Sequence, residues 1–153
     1  MSFGLAALFS LFFSQHTLPD CHDSTLVVNT TTGTQTFHVE IQNTPETRAV
    51  GMMGREQMAD NEAMLFAFPT TEPVAFWMKN TLIPLDMIFV DENGTITGVH
   101  ENAQPHDETS IFSPGPVRHV IEIPGGQSTK QNINTGDVVA HPFVDHPDIC
   151  VAK

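Results

Sequence analysis

With 153 residues, 40% of them hydrophobic, the chain has the length for one domain with a single core and is short for two. Its 6 Lys plus Arg stand against 18 Asp plus Glu, and a formal charge of -12 repels phosphate backbones and anionic lipid headgroups, so no nucleic acid partner is expected. The 11 Pro, 10 Gly and Thr-rich polar fraction favour short strands joined by turns.

Residues 3–13, FGLAALFSLFF, form an uncharged apolar run as long as a signal-peptide core and too short to span a bilayer comfortably. We therefore read residues 1–21 as a signal peptide or N-terminal anchor, 22–144 as a single mainly β domain, and 145–153 as a C-terminal tail. This predicts export to the periplasm or cell envelope, with no integral membrane span after signal removal. No Lys or Arg precedes the run, and no A-x-A site follows it. TLPDC, residues 17–21, has Leu three before Cys as lipoprotein signals do, making Cys21 a candidate lipid anchor, although Asp20 fits poorly just before a lipidated Cys. A disulfide from Cys21 to Cys150 is the competing use of the two cysteines in an oxidising compartment.

Residues 24–42 carry two β-prone segments around TTTG, the second alternating Phe37, Val39 and Ile41 against His38 and Glu40, which predicts a hairpin with one buried face. Thr44, Pro45 and Glu46 then give an N-cap, a first helical residue and an acidic first turn, so a short helix is expected to Met52 or Met53, with Gly54 in its C-terminal turn. AMLFAF, residues 63–68, reads as a buried strand broken by PTTEP. Residues 74–79 alternate as a strand with Ala75, Trp77 and Lys79 on one face. Pro84 marks a connection, residues 86–91 resume the sheet, and Asn93-Gly94 suits a two-residue type I′ turn into 95–101. Residues 102–116 form a long Pro-rich loop of the kind that borders sites. VRHVIEI, 117–123, alternates strictly and sets Arg118 and Glu122 on one face as a weak surface ion pair. A helical turn near 126–131, a tight turn at NTGD and a last strand complete the chain. The fold class expected is mainly β: a small single-domain barrel-like or strongly curved antiparallel sheet with one or two short helices.

The two-residue turn pairs Glu92 with Thr95, Ile88 with Val99 and Asp86 with Glu101; an antiparallel return of 74–79 adds Lys79 on the other side of Asp86. Two directly opposed carboxylates repel unless a cation or proton lies between them. The expected row Lys79–Asp86–Glu101 is thus either a polar site in apolar surroundings or an ion pair at a strand end, with Trp77 as ordinary core. A β-bulge in either hairpin dissolves it.

The segments RAVGMMGREQM, AMLFAF, FWMKNTLIPLDMIFVDENGTI, PVRHVIEIPGG and INTGDVV resemble, in order and spacing, the domain of unknown function 192 family, also called uncharacterised protein family 0127. The resemblance covers about residues 24–142, and FWMKNT followed by IPLD is its signature. It implies a small, mainly β domain, exported in many bacterial members, and brings no activity or cofactor with it. Residues matching it include Gly51, Met53, Arg55, Trp77, Lys79, Asn80, Asp86 and Glu122, whereas Ala63 replaces a usual Gly.

HENAQPHDE gathers His100, Glu101, His106, Asp107 and Glu108 without a zinc spacing, so no metal and no cofactor are expected. The Met residues read as core fillers, with a copper titration as their check. G-x-S-x-G, H-E-x-x-H and phosphate-loop motifs are absent from the sequence. The expectation is a monomeric envelope domain binding a small polar ligand or partner segment through Arg55, Trp77, Lys79, Asn80, Asp86 and Glu101. The competing reading is a hydrolase-type enzyme with Asp86 or Glu101 as acid-base group and Lys79 or Arg55 stabilising charge.

Overall fold

The computed structural model describes residues 23–144. The apolar run at 3–13, Cys21 and Cys150 lie outside them. Alternation in the first segment produces the expected hairpin: β1 (Thr25–Thr30) pairs antiparallel with β2 (Gly33–Gln42), Leu26 facing Phe37. α1 (Pro45–Val50) starts with a capping box, in which Thr47 N–H donates to Thr44 Oγ1 and Thr44 N–H to Thr47 Oγ1, each at 3.2 Å. The helix ends earlier than expected, at Gly51 (φ 48°) rather than Gly54. A Cβ on Gly51 would sit 3.0 Å from Phe66 Cζ, so the helix end folds tightly over that ring.

α1 and the connection after it carry the chain across to β3 (Glu62–Glu72), which lies parallel to β2, giving the sheet one parallel pair where antiparallel pairing was expected throughout. β3 also runs on through PTTE. Its register with β8 (Val117–Pro124) shifts between Ala67 and Glu72, which lets Pro69 sit where ladder hydrogen bonds are interrupted. The remaining elements are β4 (Ala75–Phe76), β5 (Leu85–Val90), β6 (Ile96–Ala103), β7 (Ile111–Phe112), α2 (Gln127–Lys130) and β9 (Val138–Ala140). The large sheet has the order β6-β5-β8-β3-β2-β1-β9. Its two ends meet, since Ile96 N–H donates to Asp137 O at 2.9 Å and Val139 N–H to Gly94 O at 2.8 Å. The sheet is therefore strongly curled and barrel-like, the fold class expected.

The expected strand 74–79 is only Ala75–Phe76, and it pairs with β7 from the supposed loop 102–116 rather than with β5. Thr81 N–H donates to Met78 O (3.1 Å) and Asn80 adopts φ 56°, so residues 78–81 turn the chain away before Pro84. The β5–β6 turn differs as well. Asp91 Oδ1 accepts from Asn93 N (2.8 Å) and Thr95 N (2.9 Å), and Gly94, not Asn93, takes positive φ (81°). This is a three-residue loop closed by Asp91 and Thr95, with Gly in the left-handed position.

Two apolar layers flank the central strands. Leu26, Phe37, Leu65, Ile88, Ile121 and Ile123 fill the barrel interior. Met64, Phe66, Met87, Phe89 and Val120 point the other way, into a second cluster shared with Met52, Met78 and Leu85 and covered by α1 and the β4–β7 flap. β5 is consequently buried at every residue, which explains why its sequence is apolar everywhere except at Asp86. Among the described residues no helix is long and apolar enough to cross a membrane.

Replacing Gly51 by Ala forces a Cβ into the Phe66 ring at positive φ. We expect a loss of about 1–3 kcal/mol, read as a lower urea midpoint at unchanged m-value.

Candidate functional site

The register removes the expected carboxylate row. Ile88 does face Val99, the pairing expected from a two-residue turn, because an extra β6 residue near Thr97 offsets the longer loop. However, β6 carries a second extra residue between His100 and Ala103 while β5 advances only from Met87 to Leu85. Asn102, at φ 53°, takes up that bulge, so Glu101 is not opposite Asp86. Asp86 is fully buried and accepts from Asn102 N (2.7 Å) and Gly126 N (2.9 Å) at Oδ1, and from Ser128 N (2.8 Å) and the Ser128 hydroxyl at Oδ2. It fastens the start of α2 to the β6 bulge. Glu101 is exposed and accepts from Thr129 Oγ1 at 2.9 Å.

The cationic candidates are likewise dispersed. Arg55 makes a two-pronged ion pair with Glu40, both contacts 2.7 Å, which lowers the Glu40 pKa. Lys79 Nζ lies 4.9 Å from the centroid of the Trp77 ring, a cation–π contact worth about 0.5–1 kcal/mol at an exposed site. Asn80 supplies left-handed backbone and a carbonyl that accepts from Gly54 N at 2.9 Å. Of the six residues proposed from sequence, Trp77 lines a cavity beside α1, Lys79 is stacked on it and Asn80 braces its wall, while Arg55, Asp86 and Glu101 hold loops and turns together elsewhere.

That cavity, about 370 Å³, lies between α1 and the sheet. Arg48, Val50, Gly51, Met52 and Met53 form one wall, Phe66 and Phe68 of β3 form the floor, and Phe76, Trp77 and Thr81 form the opposite wall. The Gly54–Asn80 hydrogen bond ties the two walls together. Phe76 meets Phe66 edge-on at 5.0 Å and Phe68 at 6.5 Å. Arg48 Nη1 donates to Ala67 O at 2.9 Å while its guanidinium covers the Phe68 ring. The rim is apolar and open, with Val50 59% and Trp77 45% exposed.

Glu122 of β8 completes the lining, only 4% exposed. Its register neighbours are Met64 on β3 and Met87 on β5, both apolar. Oε2 is sealed from solvent without a hydrogen-bond partner among the described residues. Burial alone pushes its carboxyl up to about 8, so the group is largely protonated at neutral pH. The expected Arg118–Glu122 surface pair does not form: the two share a face of β8, but that face is covered at Glu122. Alternation placed the side chain correctly and could not show the second layer; the signal available was a carboxylate inside VIEI.

His100 and Glu101 lie on β6, and His106, Asp107 and Glu108 in the loop after it; among the described residues no three His, Cys, Asp or Glu are placed to hold a metal ion. On the other face His119, buried against Phe143 O (2.7 Å from Nε2), is pulled down to about 4 by desolvation.

Two predictions follow from the buried carboxylates. Asp86→Ala strands three backbone donors and the Ser128 hydroxyl, and should cost about 3 kcal/mol or more in denaturant unfolding. For Glu122 the folded group holds its proton to about 8 against 4.5 unfolded, so its contribution to stability is complete below 4.5 and is lost as pH rises to 8. His119 acts oppositely, its contribution present above 6.5 and lost as pH falls to about 4. Comparing Glu122→Gln with the parent cancels the histidine: the variant should gain relative stability from pH 5 to pH 8.5, on the order of 3 kcal/mol. A constant difference in urea unfolding across that range would contradict a strongly raised Glu122.

Comparison with known proteins places this geometry. No curated protein matches the sequence. A crystal structure from Sinorhizobium meliloti 1021, provisionally described as a transcription regulator, is similar at 39% identity and TM-score 0.77, over 82% of this chain and 98% of that one. A protein of unknown function from Novosphingobium aromaticivorans DSM 12444 is similar at 34% identity and TM-score 0.75, over 82% of this chain and 94% of that one. The profile of the family DUF192, described as Uncharacterized ACR, matches residues 27–141, and the chain belongs to that family.

Proposed function

We propose that this is a binding domain of the cell envelope that holds a small ligand, or the side chain of a partner segment, in the cavity under Trp77. One observation carries the reading: a buried carboxyl with an unpartnered oxygen lines an aromatic cavity whose rim is apolar and open. A stably folded core has little use for an unsatisfied carboxyl, since each such group costs free energy that an apolar residue would not. Convergent apolar walls with a few polar groups are the usual architecture of a small-molecule site, and the volume lies within the usual range.

The hydrolase reading gains less support. Arg55, Lys79, Asp86 and Glu101 occupy four separate environments, and an acid-base pair must share one. The regulator description of the Sinorhizobium meliloti protein is not extended to this chain, because a charge of -12 opposes the phosphate contacts that dominate nucleic-acid affinity. Export remains part of the proposal and rests on residues 3–13.

Trp77 is the chain's single Trp and lines the cavity, so its emission reports occupancy. Titration with phenyl-bearing fragments should shift that emission together with the Met52 and Met53 methyl resonances. Ala49→Phe, on the helix wall, should weaken the response at least about tenfold. Fragments that perturb another face, or leave Ala49→Phe unaffected, would overturn the cavity reading. Fractionation of cells expressing the full chain should recover the domain with the envelope; recovery in the cytosol would remove export and leave the cavity reading intact.

A further inference from the structure

We infer that the cavity takes an organic monocation, a protonated amine on a compact apolar body, with its N–H groups received by Glu122 and its apolar part held among Phe66, Phe76 and Trp77. This rests on the proposal that the cavity is a binding site and names the ligand class. Three independent features point the same way. An unpartnered carboxyl oxygen is an acceptor whose need is met best by a charged donor. Aromatic walls favour a cation over a neutral group of equal size, because ring faces carry negative potential. The acidic chain, at -12, concentrates cations at its surface and disfavours anions.

The charged groups around Glu122 do not pre-empt this role. From α1, Arg48 is engaged by the Ala67 carbonyl and the Phe68 ring, and Glu46 is exposed in the first turn. From the segments after α1 and β4, Arg55 is paired with Glu40 and Lys79 is stacked on Trp77. β3 has its carboxylates, Glu62 and Glu72, at its two ends, and β5 contributes Met87 beside Glu122, with Asp86 directed to the α2 side. On β8 itself Arg118 borders a different cleft, with Asn93 and Phe143. Among the described residues, Glu122 forms no ion pair.

Proton balance gives the inference a distinctive signature. At neutral pH the free site holds a protonated carboxyl, so entry of a protonated amine forms a carboxylate–ammonium pair and releases one proton to the buffer. At higher pH the carboxyl is already ionised and the release vanishes.

Calorimetry of the full chain with 2-phenylethylamine and its neutral counterpart 2-phenylethanol, in buffers of different ionisation enthalpy, tests this. The amine should bind at least about tenfold more tightly than the alcohol at pH 8, with roughly one proton released at pH 7 and almost no net exchange near pH 9, where the amine itself begins to take up a proton on binding. Glu122→Gln should erase the amine's advantage over the alcohol. Equal affinities for the two probes, with Trp77 responding to both, would overturn the cation inference and leave the binding cavity standing. If neither probe binds, both readings fall. The amine–alcohol comparison is made on the parent protein, so it decides the matter even if the variant does not fold.

Discussion

The structure depends on three central strands, β3, β8 and β5, being covered on both faces. A strand with water on one side can carry polar residues at every second position; these strands cannot. Any polar side chain there must be fully bonded or remain as an uncompensated cost. Among the described residues these strands bury one carboxyl group of each kind. Asp86, with its neighbour Ile88 facing the barrel interior, accepts from three backbone N–H groups and a hydroxyl, and joins β5 to the β6 bulge and the start of α2. Glu122 faces the opposite layer, between two Met side chains, with one oxygen unpartnered. The first is explained by folding. The second is not explained by folding, and the proposed binding site rests on it.

The same double burial decides what the sequence could reveal. Local chemistry was legible wherever a short stretch determines its own geometry: the alternation of β2 and the Thr44-Pro45 helix start follow from side-chain period and capping, whereas Ile88 meets Val99 only because an extra β6 residue offsets a loop one residue longer than expected. Bulges were not, because an extra residue in β6 leaves the hydrophobic pattern almost unchanged while reversing which residues meet. Two of them bracket the correctly registered centre, one near Thr97 and one at Glu101–Asn102, and the second separates Asp86 from Glu101. Layering was also hidden. Val120 and Glu122 share a face, and only tertiary structure shows that α1 and the flap cover it.

The polar residues in AFWMKNTLIPLDMIFV mark a turn set between two apolar structures, and each has its own physical reason. Phe76 packs edge-on against Phe66 and Met78 joins the second core cluster, so these alternate positions anchor the segment. Trp77, between them, is left half out of the protein, where Lys79 stacks over it. Asn80 takes a left-handed conformation that β-branched residues resist, and its carbonyl holds the opposite wall through Gly54. Thr81 is buried at the end of the turn. The signature therefore builds a wall and hands its one large aromatic ring to the cavity mouth. The carboxyl that lines the cavity lies some forty positions later, on a strand whose alternation reads as half exposed, because the sheet brings β8 under the turn and nothing local to either segment records that meeting.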